Sequence, residues 1–251
     1  MPGRGLVHTW RAGFVAAAVV VFGVFGAGVA AASDLEGSIA RGGRLYDNWF
    51  SELKLDKPTE THPAWPASND KQKGPATWRC KNCHGWDYMG KDGAYATGSN
   101  QTGIAGIRRF AGGDEAKITA IITDATHALA GKLGEQDVKD LALFVAKGQL
   151  DNDAMIDRAS KVPKGGNAEK GRGYYATLCV GCHGADGAQP MEMPESLGSI
   201  ANRNPWETLH KVVNGQASEP MPALRALDRQ VVSDVMAYLV TMPKTTNPQK
   251  K

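Results

Sequence analysis

The chain has 251 residues, of which 42% are hydrophobic and 22% charged. This ordinary globular composition excludes intrinsic disorder, collagen-like repeats and a polytopic membrane protein, and the length accommodates one or two domains. Its 29 basic and 26 acidic residues leave a formal charge of +3, too balanced for nucleic-acid binding, which calls for a basic stripe.

At the N-terminus Arg4, His8 and Arg11 precede an uninterrupted apolar run, Phe14 to Ala32, that closes on Ala30, Ala31 and Ala32. Basic, apolar and small residues in that order predict a secretory signal over residues 1–32, cleaved at an A-x-A site, with the mature protein in the periplasm. An uncleaved anchor in the inner membrane, facing the periplasm, is the alternative, since the run meets the minimum of about 18 apolar residues for a span. Cleavage removes two arginines and no acid, leaving 27 basic against 26 acidic residues, a charge of +1.

The remainder reads as a divergent repeat. In the first half, Gly42 and Tyr46 stand on a helical segment ahead of Cys80-Lys81-Asn82-Cys83-His84-Gly85. In the second, Gly171 and Tyr175 keep the same separation ahead of Cys179-Val180-Gly181-Cys182-His183-Gly184. Gly171 stands on a short helical segment that leads straight into Cys179, whereas Gly42 lies far ahead of Cys80, so the first copy carries a long insertion. That insertion, about 53–77, holds Pro58, Pro63, Pro66 and Pro75 and is expected to be an irregular loop.

Downstream, Asp114 is positioned to cap a helix bearing Ile118, Ile121 and Ile122, and Asn204-Pro205 to cap one bearing Trp206, Leu209 and Val213. Two final amphipathic helices align without gaps, pairing Leu133, Asp140, Leu141, Phe144 and Val145 with Leu227, Asp234, Val235, Tyr238 and Leu239. The expected organisation is all-α: a first domain over 33–150, a linker over 151–167 containing Pro163, Gly165 and Gly166, a second domain over 168–243, and a basic tail over 244–251.

The four cysteines permit two disulfides, two zinc half-sites or two thiol redox pairs. A disulfide explains neither histidine, zinc needs four Cys or His ligands and the second copy adds only His210, and a thioredoxin-like pair needs a βαβ neighbourhood that is missing. Cys-x-x-Cys-His is the attachment segment of haem c, in which both cysteines form thioethers and the adjacent histidine binds iron. Cys80, Cys83, His84, Cys179, Cys182 and His183 are thus the expected attachment residues for two covalent haem c groups.

With these motifs in place, residues 36–243 resemble the class I cytochrome c family in tandem. The resemblance implies two all-α domains wrapped around covalent haem, an electron-transfer role in place of catalysis, and redox proteins as partners. The partner types expected are a membrane quinol-oxidising complex, a periplasmic dehydrogenase or reductase, or a terminal oxidase, with no nucleic acid and with membrane contact only through an uncleaved N-terminus. In the second copy Met221, followed by Pro222 and well downstream of His183, occupies the family's methionine-proline loop. Met191 and Met193 follow His183 too closely to wrap around the ring. In the first copy the aligned position holds His127, with His62 of the inserted loop as its competitor. The metal ligands expected are therefore His84 with His127, and His183 with Met221.

A bis-histidine iron has the lower potential and a methionine-ligated iron the higher, so electrons are expected to run from the first site to the second. The alternatives are a dihaem enzyme, peroxidase-like or sulfur-oxidising, whose first iron loses its sixth ligand, and a cytochrome subunit of a larger dehydrogenase or reductase. Trp78, Trp86, Tyr88 and Tyr95 are expected to pack against the first haem, and Lys73, Arg79, Lys81, Lys91, Arg108 and Arg109 to give that half a basic surface.

Overall fold

The computed structural model describes residues 1, 3 and 23–246; of the helical stretch 23–33 it describes the backbone. Most of the expected export segment and the end of the basic tail lie outside the described residues. Among the described residues no helix is long and apolar enough to cross a membrane.

The fold is all-α, as the sequence predicts. The α-helices are α1 (Gly23–Glu52), α2 (Cys80–His84), α3 (Glu115–Ile122), α4 (Glu135–Leu143), α5 (Asn152–Met155), α6 (Ala168–Leu178), α7 (Val180–His183), α8 (Leu197–Arg203), α9 (Pro205–Asn214) and α10 (Arg229–Leu239). Extended pairing among the described residues is limited to three isolated bridges, Gly90 with Ala105, Ile156 with Pro163 and Glu195 with Thr246. The caps fall where short polar side chains predict them. Asp114 accepts from the Lys117 amide at 2.9 Å and Asn204 from the Glu207 amide at 3.4 Å, each satisfying a donor left open by the first helical turn.

Buried side chains form two clusters. The first joins Leu45, Tyr46 and Trp49 of α1 to Ile118 and Ile122 of α3 and to Leu141 and Phe144 of α4 and the turn after it. The second joins Tyr175 of α6 to Leu209 and Val213 of α9 and to Val232, Val235 and Leu239 of α10. In both, an entering helix crosses a closing helix at a glycine. A Cβ on Gly42 would stand 2.0 Å from the Asp140 carbonyl oxygen, and one on Gly171 would stand 1.9 Å from that of Asp234. No side chain fits at such a crossing, so glycine is required there by contact. The surroundings repeat as well, for Gln136 Nε2 donates to Asp140 Oδ1 and Gln230 Nε2 to Asp234 Oδ1, each at 2.7 Å.

The segment 151–167 is more ordered than a linker reading suggests. It carries α5, and Asn152 and Ile156 are buried. Arg158 Nη1 donates to Oδ2 of the fully buried Asp87 at 2.6 Å, binding this segment to the residues just after His84. Trp86 and Tyr88 also depart from expectation. Trp86 inserts into the second cluster, while the Tyr88 hydroxyl donates to Nδ1 of His210 on α9 at 2.9 Å. His210 Nε2 donates in turn to the Gly43 carbonyl at 2.9 Å, so this buried imidazole joins the two halves through both ring nitrogens. Burial pushes its pKa down to about 4, keeping it neutral.

Candidate functional site

In α2 the side chains of Cys80, Cys83 and His84 occur at i, i+3 and i+4, so one turn presents all three on one face. Gly85 closes the turn at φ +85°, and Gly184 closes α7 at φ +72°, in a region that side-chain-bearing residues rarely enter. A tyrosine from the entering helix then clamps each turn. Tyr46 Oη donates to the Gly85 carbonyl and Tyr175 Oη to the Gly184 carbonyl, both at 2.6 Å. The attached histidines repeat a third contact, since Nδ1 of His84 donates to the Ala105 carbonyl at 2.7 Å and Nδ1 of His183 to the Gln189 carbonyl at 3.0 Å. With the proton held at Nδ1, each ring keeps a lone pair on Nε2, the arrangement of a metal-ligating histidine.

Cys80, Cys83 and His84 open onto a cavity of about 510 Å³. Its walls are mostly apolar, with Ile104, Ile107, Ile118, Ile122, Leu129 and Val145 among them, and Arg79 and Arg109 supply positive charge. His127, His62 and Trp78 line it too, so this one cavity gathers His84 and both histidines expected as candidates for its partner ligand.

The two differ in what their ring nitrogens do. His62 Nδ1 accepts from the Ala64 amide at 3.1 Å, so its proton is on Nε2, which donates to the His127 carbonyl at 2.9 Å. Both nitrogens of His62 are engaged, and its ring packs edge-on to Trp78 with centroids 4.4 Å apart. His127 donates from Nδ1 to Asp124 Oδ1 at 3.0 Å, which leaves Nε2 as the lone-pair nitrogen. The His84 and His127 ring centroids are 6.3 Å apart, at an interplanar angle of 27°. Two imidazoles bound to one metal at about 2.0 Å, with the coordinating nitrogen about 1.2 Å from each centroid, would stand about 6.4 Å apart. The residues of the first cavity fit haem c in size, in polarity and in this spacing.

Burial pushes the Cys80 and Cys83 thiols up to about 12 and that of Cys179 up to about 11, so these are protonated groups and not reactive thiolates. The cysteines are not paired as disulfides. Burial likewise pushes His84 down to about 4, which keeps it neutral and able to ligate.

The second site is more open. Cys182 is exposed, Cys179 and His183 are half-buried, and Met221 is half-buried on the loop between α9 and α10. That loop is held to α9, with the Leu224 amide donating to the Val212 carbonyl at 3.1 Å and the Met221 carbonyl packed against Gly215. Met236 and Met242 are buried in the core, as packing residues.

The basic residues of the first half do not form one free surface. Arg79 pairs with the fully buried Asp47, Arg108 Nη2 donates to Asp151 at 2.6 Å, and the Lys81 ammonium lies 4.7 Å from the Trp86 ring centroid. Asp124, Asp47 and Arg158 are absent from the sequence-based expectations altogether. For Asp124 a signal existed, a carboxylate three residues before a histidine at a ligand position.

A family model for cytochrome c oxidase, cbb3-type, subunit III matches residues 166–239. These residues therefore match a c-type cytochrome domain, a class that carries covalently bound haem c, and the matched stretch contains the second Cys-x-x-Cys-His segment. The matched stretch runs from the residue before Asn167, the cap of α6, to the end of α10, taking in Met221. No curated protein and no solved structure matches the chain.

Proposed function

We propose that this chain is an exported dihaem cytochrome c that passes single electrons between protein partners. Its two haem-holding domains span 33–150 and 168–243, joined by 151–167 and followed by a short basic tail. Cys80, Cys83 and His84 hold one haem and Cys179, Cys182 and His183 the other; His127 completes the first iron and Met221 the second. Haem c supplies one-electron chemistry through the ferric and ferrous states of its iron.

The observation that carries this reading is the repetition of one local frame around both motifs, a tyrosine hydroxyl at 2.6 Å from the carbonyl of the glycine after each histidine and an Nδ1–H bonded to a carbonyl. Only one copy lies within the matched family, and the other shares its geometry. His127 is tethered from both sides, by Asp124 and by His62, which favours a fixed ligand over one that leaves iron for a substrate. A carrier with a lower-potential bis-histidine site and a higher-potential histidine-methionine site follows. The basic-apolar-small order of residues 1–32 supports a periplasmic location, and the oxidase-subunit description of the matched family supports a respiratory redox partner.

Electron paramagnetic resonance and near-infrared magnetic circular dichroism of the oxidised protein test the assignment. One bis-imidazole and one imidazole-thioether low-spin haem are expected, and His127→Ala should turn only the first high-spin. A spectrum unchanged by that substitution overturns His127 as ligand. A native high-spin signal that binds cyanide rapidly overturns the carrier function.

A further inference from the structure

Asp124 and the inserted loop both converge on His127, and their chemistry toward it differs. The three histidines assigned to iron differ in one respect. His84 and His183 donate from Nδ1 to neutral carbonyls, at 2.7 and 3.0 Å, whereas His127 donates to the carboxylate of Asp124 at 3.0 Å. The same Oδ1 accepts the His127 amide at 2.9 Å, so two bonds to one residue fix the carboxylate against the ring.

From the opposite side His62 donates to the His127 carbonyl at 2.9 Å. His62 is itself fixed, because its amide donates to Thr77 Oγ1 at 2.8 Å and Thr77 Oγ1 donates to the Gly74 carbonyl at 2.6 Å. The insertion thus holds, through His62, the loop that carries His127.

A carboxylate accepting the Nδ1 proton shifts negative charge onto the imidazole and makes Nε2 the stronger donor, which favours the ferric state and lowers the potential. We propose that Asp124 and His62 are positioning residues that hold His127 and make it the most electron-donating axial group of the protein, depressing the potential of the first site below that of a bis-imidazole site bonded only to carbonyls. This inference rests on the reading that His127 binds iron. The competing role for Asp124 is purely local, a turn in which Oδ1 accepts the His127 amide. Asparagine would serve that turn equally well but carries no charge.

The test follows from that difference. In the haem-loaded protein Asp124→Asn keeps the turn and removes the charge. The His127 and Asp124 side chains are 31% and 42% exposed, so solvent screens the pair and the expected change is about tenfold in the ferric/ferrous equilibrium, an upward shift of about 59 mV for one electron. The shift should be confined to the first haem in an optical redox titration, with its bis-imidazole resonance signal retained, and Asp124→Glu should largely restore the low potential. An unshifted potential with the signal retained overturns the role given to Asp124 and leaves the ligand assignment standing. A native protein with no bis-imidazole signal overturns the assignment itself. For His62, replacement by alanine should broaden the first haem's resonance signal and replacement by glutamine should preserve its width; equal widths overturn its part.

Discussion

His210 gives the joint between the two halves a pH dependence whose sign and size can be worked out. The imidazole is 1% exposed and bonded at both nitrogens, and its pKa falls from an ordinary 6.5 to about 4 because burial disfavours the charged ring. Between these values the unfolded chain binds a proton that the folded chain refuses, so stability falls as pH falls through this window and the loss levels off below about 4. The full difference is about 3 kcal/mol, of which about 2 kcal/mol is lost between about pH 7 and pH 5. His210→Asn cannot titrate. The variant is less stable at neutral pH, by about 1–3 kcal/mol for the bonds it forfeits, but its pH profile should be flatter. Urea unfolding of the haem-loaded wild-type and variant proteins, followed by far-ultraviolet circular dichroism at constant ionic strength, gives the difference directly, and titrations common to both proteins cancel. A stability gap that stays constant from neutral pH to about pH 5 would refute the reasoning.

Three further outcomes are expected. Gly42→Ala and Gly171→Ala each force a methyl group into a carbonyl oxygen at 2.0 or 1.9 Å; a loss of about 1–3 kcal/mol or more is expected for each in chemical denaturation, against a small gain if the helix crossings were loose. Tyr46→Phe and Tyr175→Phe remove bonds of the same 2.6 Å length in the two halves, so similar losses of about 1–3 kcal/mol are expected, measured by the shift in denaturation midpoint. Arg158→Met leaves Asp87, fully buried, without its cation. A loss of about 3 kcal/mol is expected, at the low end for a broken buried pair because Arg158 is partly exposed, and Asp87→Asn in the same background should recover part of it.

The parts of this architecture that the sequence makes legible are those fixed by short-range chemistry. The attachment turns follow from cysteine and histidine spacing on one helical turn, and the caps at Asp114 and Asn204 from side chains that reach their own helix. The repeat pairs Gly42 with Gly171 and Asp140 with Asp234, but that each glycine meets its aspartate's carbonyl at a helix crossing is visible only in the fold. Aligning the loops also brings His127 to the cavity that holds His84. What stays hidden depends on partners distant in the chain. Tyr88 meets His210 and Arg158 meets Asp87 from remote parts of the sequence, and nothing in the local periodicity of either segment marks those encounters. Trp86 and Tyr88 are aromatic residues beside the first Cys-x-x-Cys-His segment, so composition alone assigns them to an expected haem; the packing instead gives them to the seam between the halves. The insertion reads as an irregular loop, and that description omits both the helical turn Gly74–Trp78 and the bond from its His62 to the carbonyl of His127.

Trp86 lies two residues beyond His84 in the chain, yet its side chain is packed in the core of the other half. The family-matched stretch 166–239 is therefore incomplete as a folding unit, since excising it would open an apolar slot where the indole sits and strip His210 of both its bonding partners. Melting of either half would cost the other these contacts, so the two halves are expected to unfold together, with coincident transitions in circular dichroism and tryptophan fluorescence.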